Sequence, residues 1–165
     1  MAPAFYLYFE DVGEVLLAML DELQPELDAV LVLLTEPWPA DETYARALRF
    51  CEAYFQFWIR HVPLLRVRNN LSDQGDRRFL LSRLDSATPF SNGLAERFSD
   101  IHRPDTDHVI EARGMAAVAM TALERLATVV AIDMYRDTTR FTWEHIPRSI
   151  AHLICESIAG GPPKG

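Results

Sequence analysis

The side chains best suited to catalysis or metal binding are sparse in this sequence and poorly spaced for either task. Five histidines occur. His145 and His152 stand seven apart and His108 lies three before Glu111, and neither spacing makes a ligand set. Cys51 and Cys155 are isolated, without the paired spacing of a zinc site or a disulfide framework. The chain has no H-E-x-x-H, no G-x-S-x-G and no glycine-rich phosphate loop. No catalytic residue, metal or cofactor is expected, and the chain does not read as an enzyme.

Recognition of a small molecule has more support. Tyr54, Phe57, Trp58, Phe90, Phe98, Met115 and Met120 fall on segments of helical period that would converge in a bundle. Rings and thioethers line apolar cavities well, and Arg68, Asn69 or Asn70 at the rim would orient a ligand. A filled core made of the same side chains is the plainer reading.

The elements that position these residues are helical throughout. A chain of 165 residues fits one domain, and 49% hydrophobic with 24% charged residues is a globular balance. The apolar stripe Val12, Val15, Leu16, Met19, Leu20, Leu23 continues in phase through Leu27, Val30, Leu31 and Leu34. It predicts one long helix kinked at Pro25 and capped by Asp11. A second helix is expected from about Asp41 to Arg60, apolar on most of its circumference and so central in the bundle. A short third is expected to begin at Pro63 and stop before Gly75. The stripe from Arg77 to Ile101 contains Pro89 and Gly93, which predicts a kinked or divided element. The longest continuous helix is expected from about His108 to Tyr135. A last one follows Trp143, with Pro147 in its first turn and a stop at Gly160 and Gly161.

The penultimate helix is apolar or small on more than one face. Gly114, Ala117, Val118 and Thr121 lie opposite its main stripe and would permit close helix approach. A two-fold interface through the last two helices is expected, drawing on Ala117, Met120, Leu123, Ala127, Ile150, Leu153 and Ile154. The competing reading is a central buried helix in a monomer.

Charge and composition exclude other classes. The net charge is −8, Lys164 is the sole lysine and the arginines are scattered among acids, which opposes nucleic-acid binding by this chain. The apolar run Ala29–Leu34 is far too short to cross a bilayer, and no secretory signal is legible, so no membrane partner is expected. Unpaired cysteines point to a reduced, cytoplasmic compartment.

One segment carries a family resemblance. The stretch AFYLYFEDVGEVLLAMLDEL, Ala4 to Leu23, resembles the junction between the DNA-binding and ligand-binding parts of the tetracycline-repressor (TetR) family. Members there read like T-[FL]-Y-x-[YH]-F before a cap and a long apolar helix. Ala4 stands for the usual Thr, Phe5, Tyr6, Tyr8 and Phe9 match the aromatic positions, and Asp11 sits at the cap. Val12 and Gly13 depart from a frequent Lys-Glu pair. The segment CEAYFQFWIRHVPLLRVRNNLSDQGDRRF and the final helix pair also look like the family.

The resemblance implies an all-α, TetR-type ligand-binding bundle. Residues 1–11 would be a remnant of the helix-turn-helix head, 12–161 the ligand-binding and dimerisation domain, and 162–165 a tail. Tyr6 and Tyr8 would be remnants of the DNA contact. The implied function is a ligand-responsive regulator of transcription, acting as a repressor, that answers a small apolar or amphipathic effector as a homodimer. Operator DNA would be a partner only in a full-length form, because most of the head is absent from the sequence. The alternative is a headless ligand-binding or heterodimerising protein that does not bind DNA.

Overall fold

The computed structural model describes residues 11–99, 106–131 and 144–160. Over these it holds six helices and no strand: α1 Val12–Asp21, α2 Gln24–Thr35, α3 Thr43–Asp73, α4 Arg77–Phe98, α5 Thr106–Ala131 and α6 His145–Gly160. The expected fold class is therefore the observed one. Tyr6 and Tyr8 lie outside the described residues with the rest of the aromatic junction, as do Trp143, Tyr135 and the tail.

α3 is the middle of the bundle and packs against each of the other five helices. Phe50, Cys51, Tyr54, Phe55, Phe57, Trp58 and Leu65 are all buried along it, over most of its circumference. Burying one large apolar side chain contributes about 1.5–3 kcal/mol, so a helix this apolar is stable only with neighbours on all sides. α2 and α4 cover one flank, α5 and α6 the other.

Two elements differ from the sequence expectation at prolines, Pro25 and Pro63. The kinked helix expected over Val12–Leu34 is two helices, broken at Glu22 and Leu23. An interior Pro25 would collide with the Asp21 carbonyl and leave it without its N–H partner. The chain instead restarts with Pro25 in the first turn of α2, where N–H groups lack helical partners anyway. Leu20, Leu27, Val30 and Leu34 still face the core across the break.

At Pro63 the outcome is the reverse. α3 runs unbroken through it for 31 residues and, among the described helices, it rather than α5 is the longest. Pro63 is exposed, while Val62, Leu65 and Arg68 beyond the ring are buried, so packing on both sides outweighs one lost hydrogen bond. Pro89 is likewise exposed within a continuous α4, between the half-buried Ala87 and the buried Phe90.

The helix ends are specified locally. Asp11 Oδ1 accepts the Glu14 N–H at 2.9 Å and both its oxygens accept from Arg78 of α4, at 3.1 and 3.0 Å. Gly13 explains its own presence here: a Cβ would stand 2.8 Å from Arg78 Nη2, so a side chain would push that arginine off the cap. α3 ends in a Schellman turn at Gly75, whose φ of 92° suits glycine; Gly75 N–H bonds the Ser72 carbonyl and Asp76 N–H the Leu71 carbonyl, both at 3.0 Å. At the end of α2, Arg97 donates to the carbonyls of Leu34 and Glu36 and lies 5.3 Å from the Trp38 ring, whose Nε1 donates to Leu33 O.

Within α5, Val109–Ala131 is long and apolar enough to span a membrane by length and composition alone. One side of it, Ala112, Ala116, Met120, Leu123 and Ala127, faces the bundle's own core. On its other side Ile110 and Val118 are exposed.

A buried polar cluster and an unpartnered face

The aromatic residues of α3 and α4 come together as expected, but they enclose almost nothing. Tyr54 meets Phe90 edge-on at 5.0 Å, and Phe50 lies 6.0 Å from Tyr54 and 6.3 Å from Phe90. Such pairs favour this offset geometry over a face-to-face sandwich. Tyr54, Phe57 and Trp58 share the wall of a void of about 10 Å³ with Leu27, Leu65, Arg68 and Ser86. A cleft of about 70 Å³ lies beside it, lined by the same Leu27, Leu65, Arg68 and Ser86 and by Leu20, Asp21, Leu23, Gln24, Ser82 and Asp85. Binding pockets for organic ligands run to about 300–1,000 Å³, so the core is closed as it stands. Phe98 and Met120 are buried in the common core, Met115 is half-buried against it, and none of the three borders either cavity.

What distinguishes this place from ordinary core is its polar content. Arg68 is only 3% exposed, the one buried cation among the described residues. Its Nη1 donates to Ser86 Oγ at 2.7 Å and its Nε to Asn69 Oδ1 at 3.2 Å, while the guanidinium lies 5.8 Å from the Trp58 ring. Ser86 Oγ in turn donates to the Arg83 carbonyl at 3.0 Å. Across the void, the Tyr54 hydroxyl donates to Glu124 Oε1 at 3.1 Å.

Burial dominates the electrostatics. It pushes the Tyr54 phenol well above its usual range, with the Glu124 charge adding to the effect. It raises the Glu124 carboxyl as well, against the pull of Arg68 and the Tyr54 hydrogen bond. Burial lowers Arg68 from the ordinary arginine value, with Glu124 holding it back up. A guanidinium stays charged through such a shift. The result is a cation held inside an aromatic core at the corner where α1 meets α2.

Asn69, expected at a ligand's rim, borders neither cavity; its Oδ1 accepts from Arg68 Nε. Glu124, Ser86, Ser82 and Asp85 were not foreseen. Glu124 carried a signal, since it is the sole acid between Glu111 and Asp133. The serines carried none, because α4 does not reveal which of its polar residues face inward.

The residues expected at a two-fold interface divide sharply. Ala117 and Leu153 are exposed, Leu153 at 68%. Met120, Leu123, Ala127, Ile150 and Ile154 lie inside the protomer's own core. The bare side of α5 instead presents Ile110, Gly114, Ala117, Val118 and Thr121, with Ile110 62% and Val118 71% exposed. Nothing lies within 4 Å of where a Gly114 Cβ would stand.

Among the described residues no group of three or more His, Cys, Asp and Glu is placed to hold a metal. A family model described as tetracyclin repressor-like, C-terminal domain, matches residues 30–164. No curated protein and no solved structure matches the chain.

Proposed function

The chain belongs to the tetracyclin repressor-like C-terminal domain family, and from that premise we propose that it is the effector-binding and dimerisation part of a ligand-responsive transcriptional regulator. The observation that carries the reading is the buried Arg68 cluster opening into a cleft at the α1–α2 corner. The fold alone would require no cation there, and a buried charge without a ligand to meet is costly.

The proposed mechanism is a shift between two populations. An effector can enlarge the cleft only by displacing Leu20, Leu23 and Leu27, which sit on either side of the α1–α2 break. α1 then moves on the short Glu22–Leu23 joint while α2 stays anchored by Arg97. In the family, α1 follows directly on the DNA-binding head. Two heads reading half-sites about 34–36 Å apart lose simultaneous contact when their supports shift. The net charge of −8 opposes DNA binding by this chain alone. Members of the family are soluble cytoplasmic regulators, and we assign this chain to the cytoplasm on that ground.

Two copies are proposed to meet through α5 and α6. The support is the small, apolar and exposed face of α5, together with exposed Leu153 on α6, which packs against α5. Close approach at Gly114 and Ala117 would build a four-helix contact across a two-fold axis.

The reading is tested by backbone amide NMR of the chain against a library of amphipathic small molecules. Saturable shifts are expected at Tyr54, Trp58, Arg68 and Ser86 together with the α1–α2 corner. A library that yields only surface shifts, or none, contradicts it.

A further inference from the structure

Resting on the reading that the Arg68 cluster holds the effector, the geometry points to a chemical class: we propose that the effector is an organic monocarboxylate with an aromatic or alkyl body. The argument is one of missing partners. Buried cations are normally met by carboxylates. Arg68 is not: among the described residues no carboxylate stands within 4.0 Å of it, and its two hydrogen bonds go to the neutral oxygens of Ser86 and Asn69. Those bonds use Nη1 and Nε, which leaves Nη2 without a hydrogen bond among the described residues. Both cavities are lined by this side chain.

The candidate internal counter-ion is occupied elsewhere. Glu124 spends Oε1 on the Tyr54 hydroxyl at 3.1 Å, and burial favours its neutral form. An incoming carboxylate would find the unused guanidinium edge, with Ser82 also lining the cleft. Its body would lie where Leu27, Tyr54, Phe57, Trp58 and Leu65 now close the void. A cationic ligand fits worse, because a guanidinium already lies over the Trp58 ring. A dianion such as a phosphate monoester also fits worse, since Asp21 and Asp85 line the mouth and one arginine cannot offset two charges there.

The test holds the body constant and changes the head. Titration calorimetry of the chain with 4-phenylbutyrate, 4-phenylbutanol and 4-phenylbutylamine is expected to show the acid binding once per chain. The acid should bind at least about tenfold more tightly than the alcohol, and the amine more weakly than both. In Arg68→Met the acid should lose this advantage while the alcohol keeps its affinity; in Arg68→Lys part of the advantage should return. Should Arg68→Met fail to fold, Arg68→Gln serves in its place, with the same loss of the acid's advantage and an unchanged alcohol expected. Alcohol or amine binding as tightly as acid overturns the carboxylate proposal and leaves the ligand-site reading standing. Equal acid affinity in wild type and Arg68→Met likewise overturns the proposal. Absence of saturable binding by all three overturns both.

Discussion

Val118→Glu together with Leu153→Glu is expected to split the proposed dimer, weakening association by about 100-fold or more. Both side chains are largely exposed in the protomer, at 71% and 68%, so neither substitution opens the core. The core side of α5 is carried by other residues: Ala116, Leu123 and Ala127 are fully buried. Helicity and the unfolding of the separated chain should therefore stay close to wild type while the sedimenting mass falls from twice the chain mass to once. Facing carboxylates across a two-fold axis repel one another and lose water together, which makes the effect large. A wild-type protein that sediments as a monomer at every concentration, or a double variant that stays dimeric, contradicts the α5–α6 interface.

Trp58→Ala should be the most damaging single truncation in the bundle, at about 3–5 kcal/mol. Trp58 is 2% exposed, sits on the central helix, borders the inner void and supports the Arg68 guanidinium on its face. Removing it enlarges that void and leaves the buried cation without its aromatic wall. For a chain of this length the melting temperature should fall by roughly 6–20 °C. The comparison must be made at one protein concentration, since association adds to apparent stability. Thermal unfolding followed by circular dichroism measures it. A loss below about 1 kcal/mol would mean that α3 and α4 are already parted in solution around this ring.

The sequence made the helical class plain, because every long segment repeats with the helix period and α3 is apolar nearly all round. It also marked the Asp11 cap, the stop at Gly75 and the Pro147 helix start, where one residue's own geometry decides the outcome. It misjudged Pro25 and Pro63 because a proline's effect depends on what lies beyond it. Pro25 fell where a new helix could begin, whereas Pro63 is followed by Leu65 and Arg68, whose burial holds α3 together. The meeting of Tyr54, Phe90 and Trp58 was legible as ring-rich helices, and Arg68, which lines both cavities, was among the residues named for a rim. Which face each polar residue takes was not, since Ser86 and Glu124 reach Arg68 and Tyr54 only through the packing of three helices. For the same reason a stripe of small and apolar residues could not be divided in advance into Met120 and Leu123 inside and Ala117 and Val118 outside.

The central claim is that filling the Arg68 cleft moves α1 in a dimer of this chain. It is tested most directly by the distance between spin labels at Met19→Cys on the two copies, since Met19 is an exposed position on α1. Cys155 is replaced by Ser, and Cys51 can stay because burial encloses its thiol and pushes its pKa up to about 12. We expect one intermolecular distance without ligand and a displacement of roughly 2 Å or more when the tightest ligand from the NMR screen is saturating. An identical distance with and without that ligand, or no coupling between copies at all, would contradict the account.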